Sequence, residues 1–163
     1  MLNGCSSKNA LAPYEGQQPA MNIASFFDGP IKAWGLVQNR KGVVVTRFDV
    51  DMVGRWDGDT GVLEEEFRYY DGTVQNRVWT LTKSGESEII GTAGDIIGQA
   101  LGEQRGNAFR FAYTMDIPVD GTTYRVKLDD WMWMMNDGVL INRSYIKKFG
   151  FTVAELTVFM QKQ

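Results

Sequence analysis

The chain has 163 residues, 44% of them hydrophobic and 12% aromatic, with 17 basic against 20 acidic side chains and a net charge of −3. That length buries one core and points to a single domain, and the acidic balance removes the excess of Lys and Arg on which nucleic-acid binders rely. Histidine is absent and cysteine occurs once, so Ser-His-Asp and Cys-His triads, imidazole acid-base chemistry and zinc sites built on His or Cys have no side chains to use.

The single cysteine is Cys5, behind Leu2-Asn3-Gly4 and before Ser6-Ser7. This string resembles a bacterial lipobox, in which a small residue before the cysteine admits the signal peptidase and the thiol is then diacylated. By the same resemblance, a residue other than Asp after the cysteine implies sorting to the outer membrane of a Gram-negative cell, facing the periplasm. A secretory signal needs a basic stretch and about 7–15 apolar residues before the cleavage site, so an in-frame signal is expected upstream of Met1. No run of about 18 apolar residues occurs, and the expected membrane link is therefore the anchor at Cys5. Residues 8–20, with Pro13, Gly16, Gln17, Gln18 and Pro19, offer little apolar surface and read as a disordered tether.

From residue 21 onward the pattern changes. A short helical turn is expected over residues 23–28, ended by Gly29-Pro30. Strand signals then recur over 43–57, 62–70, 73–82, 88–95, 96–102, 108–117, 122–135, 139–145 and 152–160. Turns such as Asp57-Gly58-Asp59-Thr60-Gly61, Asp71-Gly72 and Asn136-Asp137-Gly138 separate them. About nine or ten strands on short Gly/Asp turns predict an all-β, antiparallel up-and-down β-barrel over residues 21–163, closed on itself to remove its edges.

Period-two alternation assigns faces. Phe109, Phe111, Tyr113, Met115 and Ile117 share one side of their strand, with Arg110, Thr114 and Asp116 opposite. Tyr124, Val126, Leu128, Met132 and Met134 share a face with Asp130, while Trp131 and Trp133 lie on the other. A strand apolar on both faces is expected where the barrel wall is covered from outside by a helix, tail, partner or membrane surface.

The stretches FFDGPIKAWG, RFDVDMVGRWDGDTGVLEEEFRYYDGT with its RVWTLTK continuation, PVDGTTYRVKLDDWMW and INRSYIKKFGF resemble a bacterial lipoprotein family known as domain of unknown function 3833, over residues 21–163. The resemblance implies a lipobox-bearing protein and brings no established activity. By fold analogy the meander is similar to the calycins, lipocalin-like barrels that enclose an apolar ligand. Trp34 then reads either as the residue plugging the closed end or as a core aromatic.

Carboxylates are the remaining candidates for chemistry. Glu64-Glu65-Glu66 and Asp129-Asp130 are adjacent pairs whose members point to opposite faces and cannot share a substrate, and the glutamate run reads as a solvated face. Gly98, Gly102 and Gly106 read as relief of crowding at bends. More informative are charges on apolar faces: Arg77 with Trp79 and Leu81, Asp130 with Leu128 and Met132, Arg143 with Val139 and Ile141. Buried charges need partners, and an Arg–carboxylate fork across neighbouring strands is the economical one. The bland outcome is a structural ion pair of Arg143 with Asp130. The sharper outcome is an Arg143/Tyr145 anchor for a carboxylate or phosphate head group, which resembles that of intracellular fatty-acid-binding barrels, with Arg77, Asp130, Tyr124 and Met132 completing the site.

Three functions follow. The first is a membrane-anchored barrel binding a fatty acid or phospholipid, without enzymatic activity or cofactor, marked by a closed-bottom apolar cavity of a few hundred Å³. The second is an envelope scaffold whose interior is filled by Met and Trp side chains and whose outer face around Trp131 and Trp133 takes a partner. The third is a lipid-modifying isomerase using carboxylate and arginine alone.

Overall fold

The computed structural model describes residues 10–163; Cys5 and the lipobox lie outside them. Ten strands follow in chain order: β1 (Gly29–Asn39), β2 (Val44–Asp57), β3 (Thr60–Tyr69), β4 (Val74–Lys83), β5 (Glu88–Ala93), β6 (Ile96–Arg105), β7 (Ala108–Val119), β8 (Thr122–Met134), β9 (Val139–Lys148) and β10 (Phe151–Lys162). Each pairs antiparallel with its chain neighbours, and β10 returns to β1 to close the barrel. The short Gly/Asp turns enforce this meander, because a turn of two to five residues can join only antiparallel neighbours.

Alternation sorts the side chains as expected. Phe48, Val50, Met52, Phe109, Phe111, Val126, Leu128, Val158 and Met160 are buried inside. Outside run exposed ion pairs such as Arg55–Glu64 (3.0 Å) and Arg125–Asp116 (2.9 Å). An apolar interior with a charged exterior is the reverse of a membrane-spanning barrel, which turns its apolar band toward lipid. Among the described residues no helix is long and apolar enough to cross a membrane.

The two ends differ. At one, the helical turn α1 (Ile23–Phe26) lies across the opening and buries Ile23, Phe26 and Phe27. Asn22 caps it by accepting from the Ser25 amide at 3.0 Å. The plug is fixed to the wall: Trp56 Nε1 donates to the Phe27 carbonyl at 3.2 Å, and Lys162 Nζ donates to the carbonyls of Ser25 and Asp28 at 2.7 Å each. Gly54 is required under it, because a Cβ there would sit 1.6 Å from the Phe27 oxygen. At the other end the interior residues Val37, Phe67, Tyr69, Ile117, Tyr124, Ile146 and Leu156 are only half-buried, and among the described residues no helix lies across the mouth.

Two expectations are corrected. Trp34 is neither plug nor core: it projects outward from β1, 40% exposed, against Phe159 at 5.9 Å, and the plugging role falls to Ile23, Phe26 and Phe27. Within residues 10–20, expected to be a free tether, Leu11 and Tyr14 are held against the barrel while Gly16, Gln17 and Gln18 stay exposed. Leu11 is fully buried, a 3₁₀ turn spans Ala12–Tyr14, and the Tyr14 ring lies 6.2 and 6.4 Å from those of Trp131 and Trp133. The tail thus supplies the outside cover that the doubly apolar β8 demanded. Tyr14 also seats its carbonyl over Gly106, where a Cβ would lie 1.6 Å away.

Candidate functional site

Glu65 on β3 and Arg77 on β4 are direct cross-strand partners, both facing inward. Arg77 turns its fork to Asp95, in the turn between β5 and β6, with Nε and Nη2 donating to Oδ2 at 2.9 and 2.6 Å. On the opposing wall, Asp130 on β8 stands between Phe111 of β7 and Ser144 of β9, with Tyr113 beside it on the inner face of β7. One guanidinium and three carboxyl groups therefore share a layer across the barrel interior.

The electrostatics follow from this imbalance. Burial pushes the Glu65 carboxyl up to about 7; Arg77 opposes the rise, and Asp95 and Asp130 add to it. Burial likewise raises Asp130 to about 7, against the pull of the Ser144 and Tyr113 hydroxyls and of Arg77. The Tyr113 phenol is pushed well up by burial and then by the Asp130 charge. Burial works against charge on Arg77, but the surrounding acidic groups, Glu65 and Asp95 among them, outweigh it and hold the guanidinium cationic. Near neutral pH both raised acids can thus give up or accept a proton, and with both protonated the Arg77–Asp95 pair leaves the layer without net charge.

Three buried oxygens of this layer, Glu65 Oε2, Asp95 Oδ1 and Asp130 Oδ1, have no hydrogen-bond partner, whereas buried polar atoms are nearly always paired. Asp130 lines a cavity of about 70 Å³, walled by Trp79, Phe109, Phe111 and Met132 and floored by Ile23 and Phe27, with Tyr113 as its other polar group. That is room for roughly two water molecules, well below the ~300–1,000 Å³ of ordinary small-molecule sites. Among the described residues no cluster of acidic or sulfur side chains could hold a metal ion.

The residues singled out from sequence divide in two. Arg77, Asp130, Tyr124 and Met132 face the interior. Arg143 and Tyr145 do not: Arg143 lies on the outer face of β9, ion-paired to Glu155 of β10 and stacked beside the Tyr145 ring at 5.7 Å. Both were placed by sharing a face with Val139 and Ile141, and that face is the outer one. An interior head-group anchor at Arg143 is thereby corrected, as is an Arg143–Asp130 pair; the interior cation is Arg77 and its fork partner is Asp95.

Glu65, Asp95 and Tyr113 were not assigned to a site from sequence. For Glu65 the signal was present: it shares parity with Leu63, Phe67 and Tyr69 on β3. Reading 64–66 as one solvated run holds for Glu64 and Glu66, which pair with Arg55 and Arg68 outside, and fails for Glu65. Asp95 carried no signal, because a turn residue has no face to read. Asp129 is on the outer wall, where Arg110 forks onto it at 2.7 and 3.0 Å and Lys147 adds a bond at 3.0 Å.

Fold and site together define a lipocalin-like protein: a ten-stranded up-and-down barrel, plugged at one end, open at the other, with an apolar interior crossed by an ionisable layer. The chain belongs to the family described as Protein of unknown function (DUF3833), whose model matches residues 1–162. No curated protein matches it.

Proposed function

We propose that the protein is a lipoprotein, anchored to a bacterial outer membrane through Cys5, whose barrel takes one slender apolar chain, such as a fatty acyl group, through its open end and holds the polar head at the ionisable layer. The observation that carries this reading is the set of unpartnered carboxyl oxygens on Glu65, Asp95 and Asp130, of which Asp130 lines an apolar cavity. A core with only a structural purpose gains nothing by leaving them unpaired. A ligand head that donates to a carboxyl oxygen and accepts from Arg77 satisfies both sides. Room for the chain comes from the wall: Met52, Met115 and Met132 line the interior, and unbranched thioether side chains repack at low cost.

A second reading, a filled barrel acting as an envelope scaffold, is favoured by the cavity volume of about 70 Å³. Lipid extraction and mass spectrometry of protein purified from its native host, beside titration with a fluorescent long-chain fatty acid, separates the two. Binding should weaken about ten-fold or more in Arg77→Met, as a charge-assisted hydrogen bond of ~1.5–3 kcal/mol is lost. A urea melt of the same variant checks that it remains folded. No extracted lipid and no binding by the wild type would leave the scaffold reading. The anchor is tested separately, since Cys5→Ser should move the protein from the membrane to the soluble periplasmic fraction.

A further inference from the structure

The turns around the open mouth are unlike those around the plugged end. Three consecutive turns form an arc, because β10 neighbours β1 and β2 neighbours β3: residues 148–151, 39–44 and 69–74. At their tips Phe149 is 88% exposed, Phe151 71%, Val45 57% and Tyr70 57%, with Val43 and Val44 also exposed. The β1–β2 hairpin reaches past its neighbour, since the β2–β3 ladder ends at Phe48–Tyr69 with one further bond from the Tyr70 amide to the Arg47 carbonyl, while β2 begins at Val44. Val45 and Val44 therefore lie roughly 7–10 Å along the strand past the last of these bonds at ~3.3 Å per residue. Phe149 holds a left-handed backbone, φ 50°, which costs a non-glycine residue about 1 kcal/mol or more, and the side chain so displayed stands in solvent with Lys148 Nζ 5.3 Å from its ring.

Charge is distributed to match. The arc carries Arg40, Lys41 and Lys148 in its turns and Arg47 just behind, its guanidinium 4.8 Å over the Tyr70 ring. The turns of the arc hold one acid, Asp71, which accepts the Thr73 amide at 2.9 Å; Asp49 behind it accepts from the Tyr70 hydroxyl, and the mouth's other turn acids, Asp95 and Asp120, lie in the two turns outside the arc. Across the plugged end, the turns hold Asp57, Asp59, Glu86, Glu88 and Asp137 against Lys83 and Arg105. A protein of net charge −3 thus gathers a basic, apolar arc at one pole. Protruding valines and phenylalanines ringed by Lys and Arg match the depth profile of an anionic bilayer, with apolar tips below the head groups and cations at phosphate level.

We propose that this arc docks the open mouth onto an anionic phospholipid bilayer. The contact is independent of any acyl anchor at Cys5 and of ligand inside the barrel, and it places the mouth against the surface from which an amphipathic ligand would come.

Flotation of the full chain carrying Cys5→Ser tests it, with vesicles of phosphatidylcholine alone or mixed with phosphatidylglycerol. Binding is expected only to the anionic vesicles and should weaken with salt. The double variant Phe149→Ser/Phe151→Ser should lower partitioning about ten-fold or more through lost apolar burial, as should Arg40→Gln/Lys41→Gln through lost charge. Met135→Ser, an exposed apolar residue at the plugged end, should change nothing. The proposal is overturned if the parent chain fails to float on anionic vesicles, or if the Met135 variant falls as far as the Phe149 one. It is equally overturned if sedimentation shows a dimer that the Phe149/Phe151 variant dissolves while flotation is unaffected, which would assign the arc to a second copy of the chain.

Discussion

Replacing Glu65 by Gln should remove most of one proton's worth of pH dependence from folding stability. The Glu65 carboxyl lies at about 7 in the folded protein against an ordinary value of 4.5. A group raised in this way favours the folded state fully below its unfolded value and loses that contribution as pH rises through the folded one, because in between the native protein holds a proton that the unfolded chain has released. At about 1.4 kcal/mol per pK unit, the wild type should lose on the order of 3 kcal/mol to Glu65 between pH 4.5 and 7.5. Asp130, raised from 3.8 to about 7, adds a loss over nearly the same window.

Two features make the window clean. The chain has no histidine, the one side chain that ordinarily titrates there. The carboxylates held below their ordinary values act on the other side of it. Asp51 beside Arg68 and Lys32, Asp116 beside Arg125, and Asp129, where Arg110 and Lys147 outweigh burial, lose stabilisation only as pH falls below about 4. Urea melts at pH 5, 6, 7 and 8 provide the assay. Glu65→Gln keeps the volume and should flatten the decline, so that the variant is the more stable protein at pH 8 and not at pH 5. If wild-type stability instead rises from pH 5 to 8, or if the variant declines as steeply as the wild type, the argument that Glu65 is held protonated by burial is refuted.

Two further predictions concern the wall and the plug. Arg143→Met breaks an exposed pair with Glu155, so it should cost under about 1 kcal/mol in a urea melt and leave fatty-acid binding unchanged; a large effect on either would return Arg143 to the interior site. Gly54→Ala drives a methyl into the Phe27 carbonyl and should destabilise by about 1–3 kcal/mol as the plug is displaced, with Trp56 fluorescence shifting as its bond to that carbonyl is lost; an unchanged spectrum and melt would mean the plug is not seated there.

What sequence determined by itself was local and periodic. Gly/Asp turns between alternating runs specify an antiparallel meander, and the number of strands makes closure the economical way to remove edges, so the all-β barrel was legible down to most strand limits. Parity placed Arg77, Asp130, Tyr124 and Met132 on faces that proved to be interior, since one residue of slip would turn a whole hydrophobic set outward. Parity cannot say which of two apolar faces is the inner one. On β9 the Val139–Ile141–Arg143–Tyr145 face looks as buried as its opposite, and only closure of β9 between β8 and β10 puts Leu140, Asn142 and Ser144 inside. The β1 segment, residues 29–39, was not among the strand signals at all, and its closure between β2 and β10 turns Trp34 outward. Tertiary structure alone decided the rest, because it depends on distances between residues far apart in the chain: Asp95 reaching Arg77 from a turn, Glu65 and Asp130 meeting across the lumen, Phe27 settling over Gly54, and Tyr14 folding back on Trp131 and Trp133. Composition could mark residues 8–20 as poor in apolar surface of their own; it could not show that β8 would offer Tyr14 an apolar surface to cover.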